Sequence, residues 1–442
     1  MGKGKTFKGG IHPPGHKELT NSKSIRRMSP PEEVVVLMQQ HIGAACQPLV
    51  KRRDVVNKGQ KIGDSDGAIS APVHASVSGV VKAVESWVHP NGYKVQAVVI
   101  ENDGEERLDP DIVPAGDLES LDKGTIVDLI REAGIVGLGG AAFPTHVKLS
   151  PPPHKKIHTL IINGCECEPY LTCDHRVMVE QPEKVVYGTR ALLRALGINK
   201  AFIGIEANKP DAITAMEKAT APYADIQVVP LQIKYPQGAE KQLVTAITGQ
   251  VVPEGCLPMD CGIVVNNVGT AAAVAASLKT GMPLIERVIT VSGEGVKEPQ
   301  NLLVPVGAKL SDVLQVSQGF NGTPRKVIMG GPMTGVTQFD LSVPVVKGTP
   351  GIVVFNDLKT ATKPEACIRC GRCVDACPAF LVPVNIVQYV DGGQLDAAVE
   401  WGLLNCIECG SCSYVCPANR FLVQSILLGK QEVQAARNKQ TS

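Results

Sequence analysis

Eight of the fourteen cysteines fall in two runs of identical spacing. Cys367, Cys370, Cys373 and Cys377, followed by Pro378, form C-x2-C-x2-C-x3-C-P, and Cys406, Cys409, Cys412, Cys416 and Pro417 repeat it thirty-nine residues later. Three thiolates from one tight loop can bind three irons of a cubane, while the fourth, on the helix that follows, reaches the neighbouring cubane. The spacing therefore predicts two [4Fe-4S] clusters, one on Cys367, Cys370, Cys373 and Cys416, the other on Cys406, Cys409, Cys412 and Cys377. Zinc knuckles, the competing use of so many thiols, place their ligands as two separated pairs rather than four in one run with a trailing proline. A chain with two such clusters conducts single electrons. The other six thiols (Cys46, Cys165, Cys167, Cys173, Cys256, Cys261) read as reduced core or loop residues.

A second signal is the segment Gly137-Leu-Gly-Gly-Ala-Ala-Phe-Pro-Thr145. Gly137, Gly139 and Ala142 match a dinucleotide fingerprint, but that fingerprint must leave a strand and open a helix, and here the text before it is helical. What survives is a run of backbone N–H groups without bulky side chains, with a cation at Lys148, which can cradle a phosphate. A bare glycine-rich turn is also a common structural device, so its company matters. Asn163-Gly-Cys-Glu-Cys-Glu-Pro169 ends a strand-like run, Tyr235-Pro-Gln-Gly-Ala-Glu-Lys241 enters a helix, and Asn266-Asn-Val-Gly-Thr270 enters another. Open α/β sheets bind ligands at such strand ends and helix starts.

The elements that must position these groups divide the 442 residues into a multidomain α/β chain. Residues 1–33, rich in Gly, Pro and Lys, read as an extended arm. Residues 34–105 carry short β-branched runs with Gly turns, a small barrel or sandwich whose Gly59 to Val80 pattern resembles a biotinyl/lipoyl hammerhead. The hairpin Gly63 to Ser70 has no lysine, so this module is structural or a docking surface instead of a swinging carrier arm. Residues 118–284 alternate helix and strand, as a parallel sheet requires, and 285–345 return to short strands of β-grasp type. Residues 358–430 form the helical, ferredoxin-like cysteine module.

Composition narrows the classes. Lys+Arg 44 against Asp+Glu 43 gives no basic field for nucleic acid, and 4% aromatic residues offer no platform for stacking bases. The apolar stretch Gly262 to Leu284 is broken by Asn266, Asn267, Thr270 and Lys279, so membrane association is expected to be peripheral. Gly4-Lys5-Thr6 lacks the earlier glycine of a phosphate-binding loop.

The Gly137–Thr145 loop, the N-G-C-E-C-E-P turn, the Tyr235 segment and the N-N-V-G-T helix start together resemble the flavoprotein of respiratory complex I. The order of modules, from the FKGGIHPPGHKELT arm to the twin cysteine runs, resembles over nearly the whole chain the RnfC-type components of Rnf membrane assemblies, which exchange electrons between ferredoxin and NAD and move ions. That resemblance implies non-covalent FMN with NAD(H) as substrate. It implies that Gly137, Gly139, Gly140 and Lys148 lie along the flavin and its phosphate, and that Phe143 flanks the nucleotide. Asn163, Glu166, Tyr235, Gly238, Glu240, Asn266, Asn267 and Thr270 would line the flavin. Glu166 and Glu168 are the implied catalytic pair, with Glu168 facing the nicotinamide. Cys165 stands where the related turn has Asp, and Leu149 and Pro151 replace aromatic residues, which weakens adenine stacking. The implied role is a peripheral electron-transfer component on the cytoplasmic side of the membrane, with other subunits of the complex as partners and ferredoxin reached indirectly. Two other roles fit the same modules: a soluble flavin and iron–sulfur reductase of cobalamin-reductase type, and an adaptor that uses only the clusters.

Overall fold

The computed structural model describes residues 4–357 and 363–441, so the first three residues of the arm and the start of the expected 358–430 module lie outside the described residues. The N-terminal module packs a four-stranded sheet (Glu33–Leu37, Lys94–Asn102, Gly79–Val88, Val55–Val56, in spatial order) on a three-stranded one (Gln47–Pro48, Lys61–Asp64, Val73–His74). Alternation decides which side chains meet. Val34, Val36, Val98 and Ile100 fill the inside of the sandwich, while Val35, Leu37, Ala97 and Val99 from the same two strands pack outward with Trp87 and Val346. The hairpin without a lysine is tied down, because Asp64 accepts from Arg131 of the Lys123–Glu132 helix (3.1 Å) and Lys61 pairs with Glu132.

The central domain is a four-stranded parallel sheet in the order Ile226–Leu231, Ala201–Glu206, Thr159–Gly164, Ile263–Asn267. The first three strands step outward in chain order and the fourth returns to the other side of the first, which places the topological switch point between Thr159–Gly164 and Ile263–Asn267. Crevices of such sheets open at the carboxyl ends of the strands flanking that point. The Pro182–Leu196 helix packs so closely on Val268–Thr280 that a Cβ on Gly188 would lie 1.8 Å from the Ala271 carbonyl oxygen, so only glycine fits. Leu160, Ile162, Ile203 and Ile205 of the sheet share a core with Leu192, Val268 and Leu278 of these helices.

The β-grasp part is a six-stranded sheet. It takes in Ile25–Arg27 from the arm, parallel to Gln300–Pro305, and Gly351–Phe355, paired with Glu286–Ser292. The arm is extended but packed rather than free. Lys5 bridges to Leu231 at the edge of the central sheet, and Ile11 exchanges backbone bonds with Tyr235 (2.8 and 2.9 Å). Thr20, Thr172, Thr290 and Asn301 form a buried polar network where arm, central domain and β-grasp sheet meet.

The cysteine module is helical: Arg372–Asp375, Pro383–Asp391, Leu395–Glu400, Ser411–Tyr414 and Leu422–Thr441 surround a core of Ile386, Val387, Val390, Leu403, Leu422 and Ile426. Proline at the start of the Pro383–Asp391 helix sits where its missing N–H costs nothing. Among the described residues no helix is long and apolar enough to cross a membrane.

Candidate functional site

The segments expected to hold a flavin converge on the switch point. Asn163 and Asn267 are register partners on the two flanking strands. Asn163 Nδ2 donates to the Gly238 carbonyl (2.7 Å), and its Oδ1 accepts from the Cys165 N–H (3.1 Å), which holds the Tyr235 segment and the N-G-C-E turn together. Asn267 Oδ1 accepts from Gly269 N (2.7 Å) and so caps the Val268–Thr280 helix. The glycine loop is closed on itself by Gly137 N to the Phe143 carbonyl (2.8 Å) and is fastened to that helix by Leu138 N to Thr270 Oγ1 (2.9 Å). Gly139 and Gly140 remain exposed, and Gly140, at φ +108°, has open space where a Cβ would stand.

The donors left over fit a polar heterocycle. Asn266 is buried, and its Nδ2 has no protein partner. Lys148 Nζ donates to the Val265 carbonyl (3.1 Å) and pairs with Glu240, so the two residues expected beside the flavin hold each other at the mouth of the crevice. A nearby half-buried carboxyl is Asp174, which accepts from Asn267 Nδ2 (2.6 Å); desolvation, with Glu166 close by, pushes it up to about 7.

Three expected residues point elsewhere. Glu166 accepts from the N–H groups of Asp174 (2.7 Å) and His175 (3.2 Å), capping the Cys173–Glu180 helix with its carboxylate. Glu168, expected to face a nicotinamide, turns to the β-grasp sheet: its carboxylate accepts from Met333 N (3.0 Å) and Thr334 Oγ1 (2.5 Å), and burial raises its pKa. Tyr235, expected along the flavin, is buried, and its hydroxyl donates to the Cys409 carbonyl (2.9 Å) in the second cysteine run. The cause is the same for both Glu168 and Tyr235, since partners from distant modules reach them before solvent or crevice does. Phe143 is half-buried beside the loop it helps to close.

Lys17 was not singled out by its sequence context. Its ammonium donates to the carbonyls of Glu166 (2.7 Å), Glu168 (2.8 Å) and Leu171 (2.6 Å), so one cation from the arm gathers two carbonyls of the N-G-C-E-C-E-P turn and one just after it. On the other side of that turn, buried Lys209 donates to the Cys165 carbonyl (2.6 Å). Arg287, also buried, donates to the Leu138 carbonyl (3.2 Å) and ties the glycine loop to the β-grasp sheet.

The two cysteine runs share an unusual backbone. Arg369 and Glu408 (φ 55° and 59°), Gly371 and Gly410 (φ 77° and 75°), and Phe380 and Asn419 (φ 57° and 49°) are left-handed at matching positions. The first pair turns an N–H onto a sulfur: Arg369 N donates to Cys367 Sγ and Glu408 N to Cys406 Sγ, each at 3.4 Å. Hydrogen bonds to sulfur are one means by which a protein tunes a cluster.

Cys377, Cys406, Cys409 and Cys412 line one cavity with Leu381, Val423 and Ile426. Burial pushes the Cys412 thiol up to about 12 and Cys406 up to about 11, and Cys377 adds to the rise at both. Thiols so desolvated become thiolates when a metal supplies the countercharge, so this donor set suits an iron–sulfur cluster. Cys373 feels Cys367 and Cys370, and the Glu365 N–H bonds the Ala418 carbonyl (2.9 Å), which brings the approach to the first run beside the segment after Cys416. Among the described residues no three His, Cys, Asp or Glu side chains are grouped as ligands of a single metal ion.

Four family models match the chain. They are the RnfC barrel sandwich hybrid domain over residues 5–105, the Nuo51 FMN-binding domain over 130–276, the SLBB domain over 288–337 and a 4Fe-4S dicluster domain over 359–417. The chain is 51% identical over 436 residues to the C component of the Na(+)-translocating ferredoxin:NAD(+) oxidoreductase complex of Acetobacterium woodii, covering 98% of each chain. It is 48% identical over 436 residues to the proton-translocating counterpart of Clostridium ljungdahlii, covering 98% of this chain and 95% of that one. With the C component of the ion-translocating oxidoreductase complex of Rhodobacter capsulatus it shares 46% over 434 residues, covering 96% and 82%. An air-oxidized NAD+-reducing [NiFe]-hydrogenase crystal structure shares the fold over 71% of this chain and 63% of that one, at TM-score 0.50 and 20% identity.

Proposed function

Because the chain belongs to the RnfC family of ion-translocating ferredoxin:NAD oxidoreductase complexes, we propose that it exchanges hydride between NAD(H) and a non-covalent FMN and relays single electrons through two [4Fe-4S] clusters to other subunits. Ferredoxin is then reached indirectly, and the chain sits peripherally on the cytoplasmic face of the membrane. FMN supplies the exchange between a two-electron and a one-electron partner, which neither nicotinamide nor a cubane can make alone.

The chain's own residues hold and orient. The exposed glycine loop and Lys148 would meet the phosphate, with Lys148 exchanging its bond to Glu240 for the anion. Asn266 Nδ2 presents an unpartnered amide donor at the strand end, where the polar edge of the ring would lie, and Asn163 and Asn267 brace the turn and the helix start around it. Lys17 and Lys209 fix the turn that forms the wall. The four thiols around the buried cavity, and the exposed run before them, would each receive a cluster under the crossed pairing that the spacing predicts.

The observation that carries this reading is the direct bond from Tyr235, in a segment of the nucleotide-type domain, to Cys409 in a cysteine run. A site for two-electron chemistry and a site for one-electron chemistry are packed into one body. Purified anaerobically, the chain should contain one FMN and two cubanes, and should pass electrons from NADH to ferricyanide. Lys148→Ala should deplete flavin and leave iron unchanged. A flavin that stays on the chain through acid precipitation would refute the non-covalent part.

A further inference from the structure

Two cations are buried behind the glycine loop, and neither makes an ion pair with a carboxylate. Arg287, on the Glu286–Ser292 strand, is 4% exposed, and Lys347, in the segment leading to Gly351–Phe355, is 1% exposed. Their side chains bond main-chain carbonyls instead. Arg287 donates to Val288 (3.4 Å), to Lys347 and to Leu138 (3.2 Å), and Lys347 donates to Pro72 (2.6 Å) and Gly134 (2.7 Å). Gly134 and Leu138 stand just before and inside the loop, so the pair braces it from behind.

A brace needs no charge. A neutral amide also donates to carbonyls, whereas a buried cation adds a desolvation cost that a nearby anion offsets. The acidic groups facing Arg287 are Cys173 and Asp174, and desolvation raises both toward the protonated form. Those facing Lys347 are Cys46, whose thiol burial also raises, and Asp64, which is already paired with Arg131. The positive charge behind the loop is therefore left without a full counter-charge in the protein.

The loop's backbone carries that charge forward. The Leu138–Gly139 peptide is trans, so its carbonyl and its N–H point opposite ways. With the carbonyl held by Arg287 on the buried side, the Gly139 N–H faces the side on which Gly139 and Gly140 are exposed. The guanidinium polarises this peptide and strengthens its N–H as a donor to an anion in front. The backing is close: a Cβ on Gly348, next to Lys347, would stand 3.2 Å from Ala142 Cβ and 3.3 Å from the Gly140 carbonyl oxygen.

We infer that Arg287 and Lys347 are the buried counter-charge for the phosphate of the bound flavin, positioning residues through which the glycine loop selects FMN over riboflavin, its neutral, unphosphorylated form. The inference rests on the function proposed above and places the source of this selectivity outside the central domain.

For the test, flavin is removed from the full chain with its clusters in place, and FMN and riboflavin are titrated back, each read by quenching of flavin fluorescence. The unmodified chain should prefer FMN, and the ratio of the two affinities should survive about 1 M KCl, because salt screens buried charges much less than exposed ones. Arg287→Gln should weaken FMN about tenfold and riboflavin by less than about twofold. Arg287→Lys, which keeps the charge, should restore most of the ratio. Lys347→Met should shift it in the same direction as Arg287→Gln but less, since Lys347 holds Gly134 rather than Leu138. If the variants do not fold, the salt series of the unmodified chain decides. A preference that collapses at high salt belongs to Lys148 at the mouth of the crevice and overturns the inference. An Arg287→Gln chain that loses FMN and riboflavin equally overturns it as well, because Arg287 is then a brace alone. A chain that takes up neither flavin would overturn the function proposed above.

Discussion

The two cysteine runs are near-copies in backbone and opposites in environment. Matching left-handed residues set both loops, and matching N–H groups cover the first sulfur of each. Yet Cys409 and Cys412 are 9% and 7% exposed, whereas Cys367 and Cys370 stand in solvent. Local sequence makes the loop, and tertiary packing decides what the loop is for. One copy is fused to the nucleotide-type domain by Tyr235 and to the β-grasp part by Met333, whereas the other meets the arm and Gln242 only at its end, Ala376 to Pro378, and keeps Cys367 and Cys370 exposed.

The most severe way to break this comparison is to remove a thiol that crosses between the runs. Cys377 belongs to the first run by sequence but lines the cavity of the second. Cys377→Ala should therefore cost about four of about eight irons, and the lost signal should be the one that Cys406→Ser also loses. Loss of the signal that Cys367→Ser removes would invert the pairing. Heat stability should fall further than in Cys367→Ala, because the emptied cavity lies in a buried seam.

Burial also acts on a cation at a junction in which neither run takes part, and this gives a control. Lys347 is enclosed where hammerhead, central domain and β-grasp sheet meet, donating to the carbonyls of Pro72 (2.6 Å) and Gly134 (2.7 Å), and desolvation lowers it from 10.5 to about 7. A lysine depressed in the folded state binds fewer protons there than in the unfolded chain between about 7 and 10.5. Its contribution is therefore complete above 10.5 and is lost as pH falls toward 7. Between those limits stability should rise by up to about 1.4 kcal/mol per pH unit from this group, and Lys347→Met should flatten the rise in thermal melts. The cluster spectra should not change; if they do, the junctions are coupled and the comparison between the runs is not local.

Tyr235→Phe removes only the hydroxyl that meets the Cys409 carbonyl. Leaving that buried acceptor without a donor costs about 1–3 kcal/mol, measurable by denaturant unfolding. The potential of the cluster that Cys406→Ser removes should shift while that of the cluster that Cys367→Ser removes stays. Equal shifts would show that Tyr235 does not discriminate between the runs.

The smallest effect compares two glycines at nearly the same angle. Gly9 has φ +76° and backbone at 2.7 Å from a Cβ, whereas Gly371 has φ +77° and open space. Both alanine variants carry about 1–2 kcal/mol of left-handed strain. Gly9→Ala should lose a further 1–3 kcal/mol or so, because the arm must shift away from the Cys377 backbone. Equal melting temperatures would mean the arm is not held there.

Much of this was legible because it is local. The cysteine spacing, the strand ends at Asn163 and Asn267 and the helix starts that follow lie within single turns of chain, and they suffice to place the cysteine runs and the crevice. The partners of Lys17, Glu168 and Tyr235 were not legible, since each lies some 150 residues or more away and is chosen by how modules pack. The β-grasp sheet likewise recruits Ile25–Arg27 and Gly351–Phe355 from outside the 285–345 stretch that reads as its own. The asymmetry of the runs left one trace: Arg369, Arg372 and Asp375 stand between the first set of cysteines and only Glu408 between the second. Charges of that density suit an exposed loop.

The central claim is that two-electron and one-electron chemistry share this chain. Its most direct test is anaerobic stopped-flow absorbance of the purified, fully loaded protein mixed with NADH alone. The account predicts bleaching of the flavin band followed by bleaching of the iron–sulfur absorbance in the same traces, with no other subunit present. Clusters that bleach with dithionite but stay oxidised after the flavin has been reduced by NADH would contradict it.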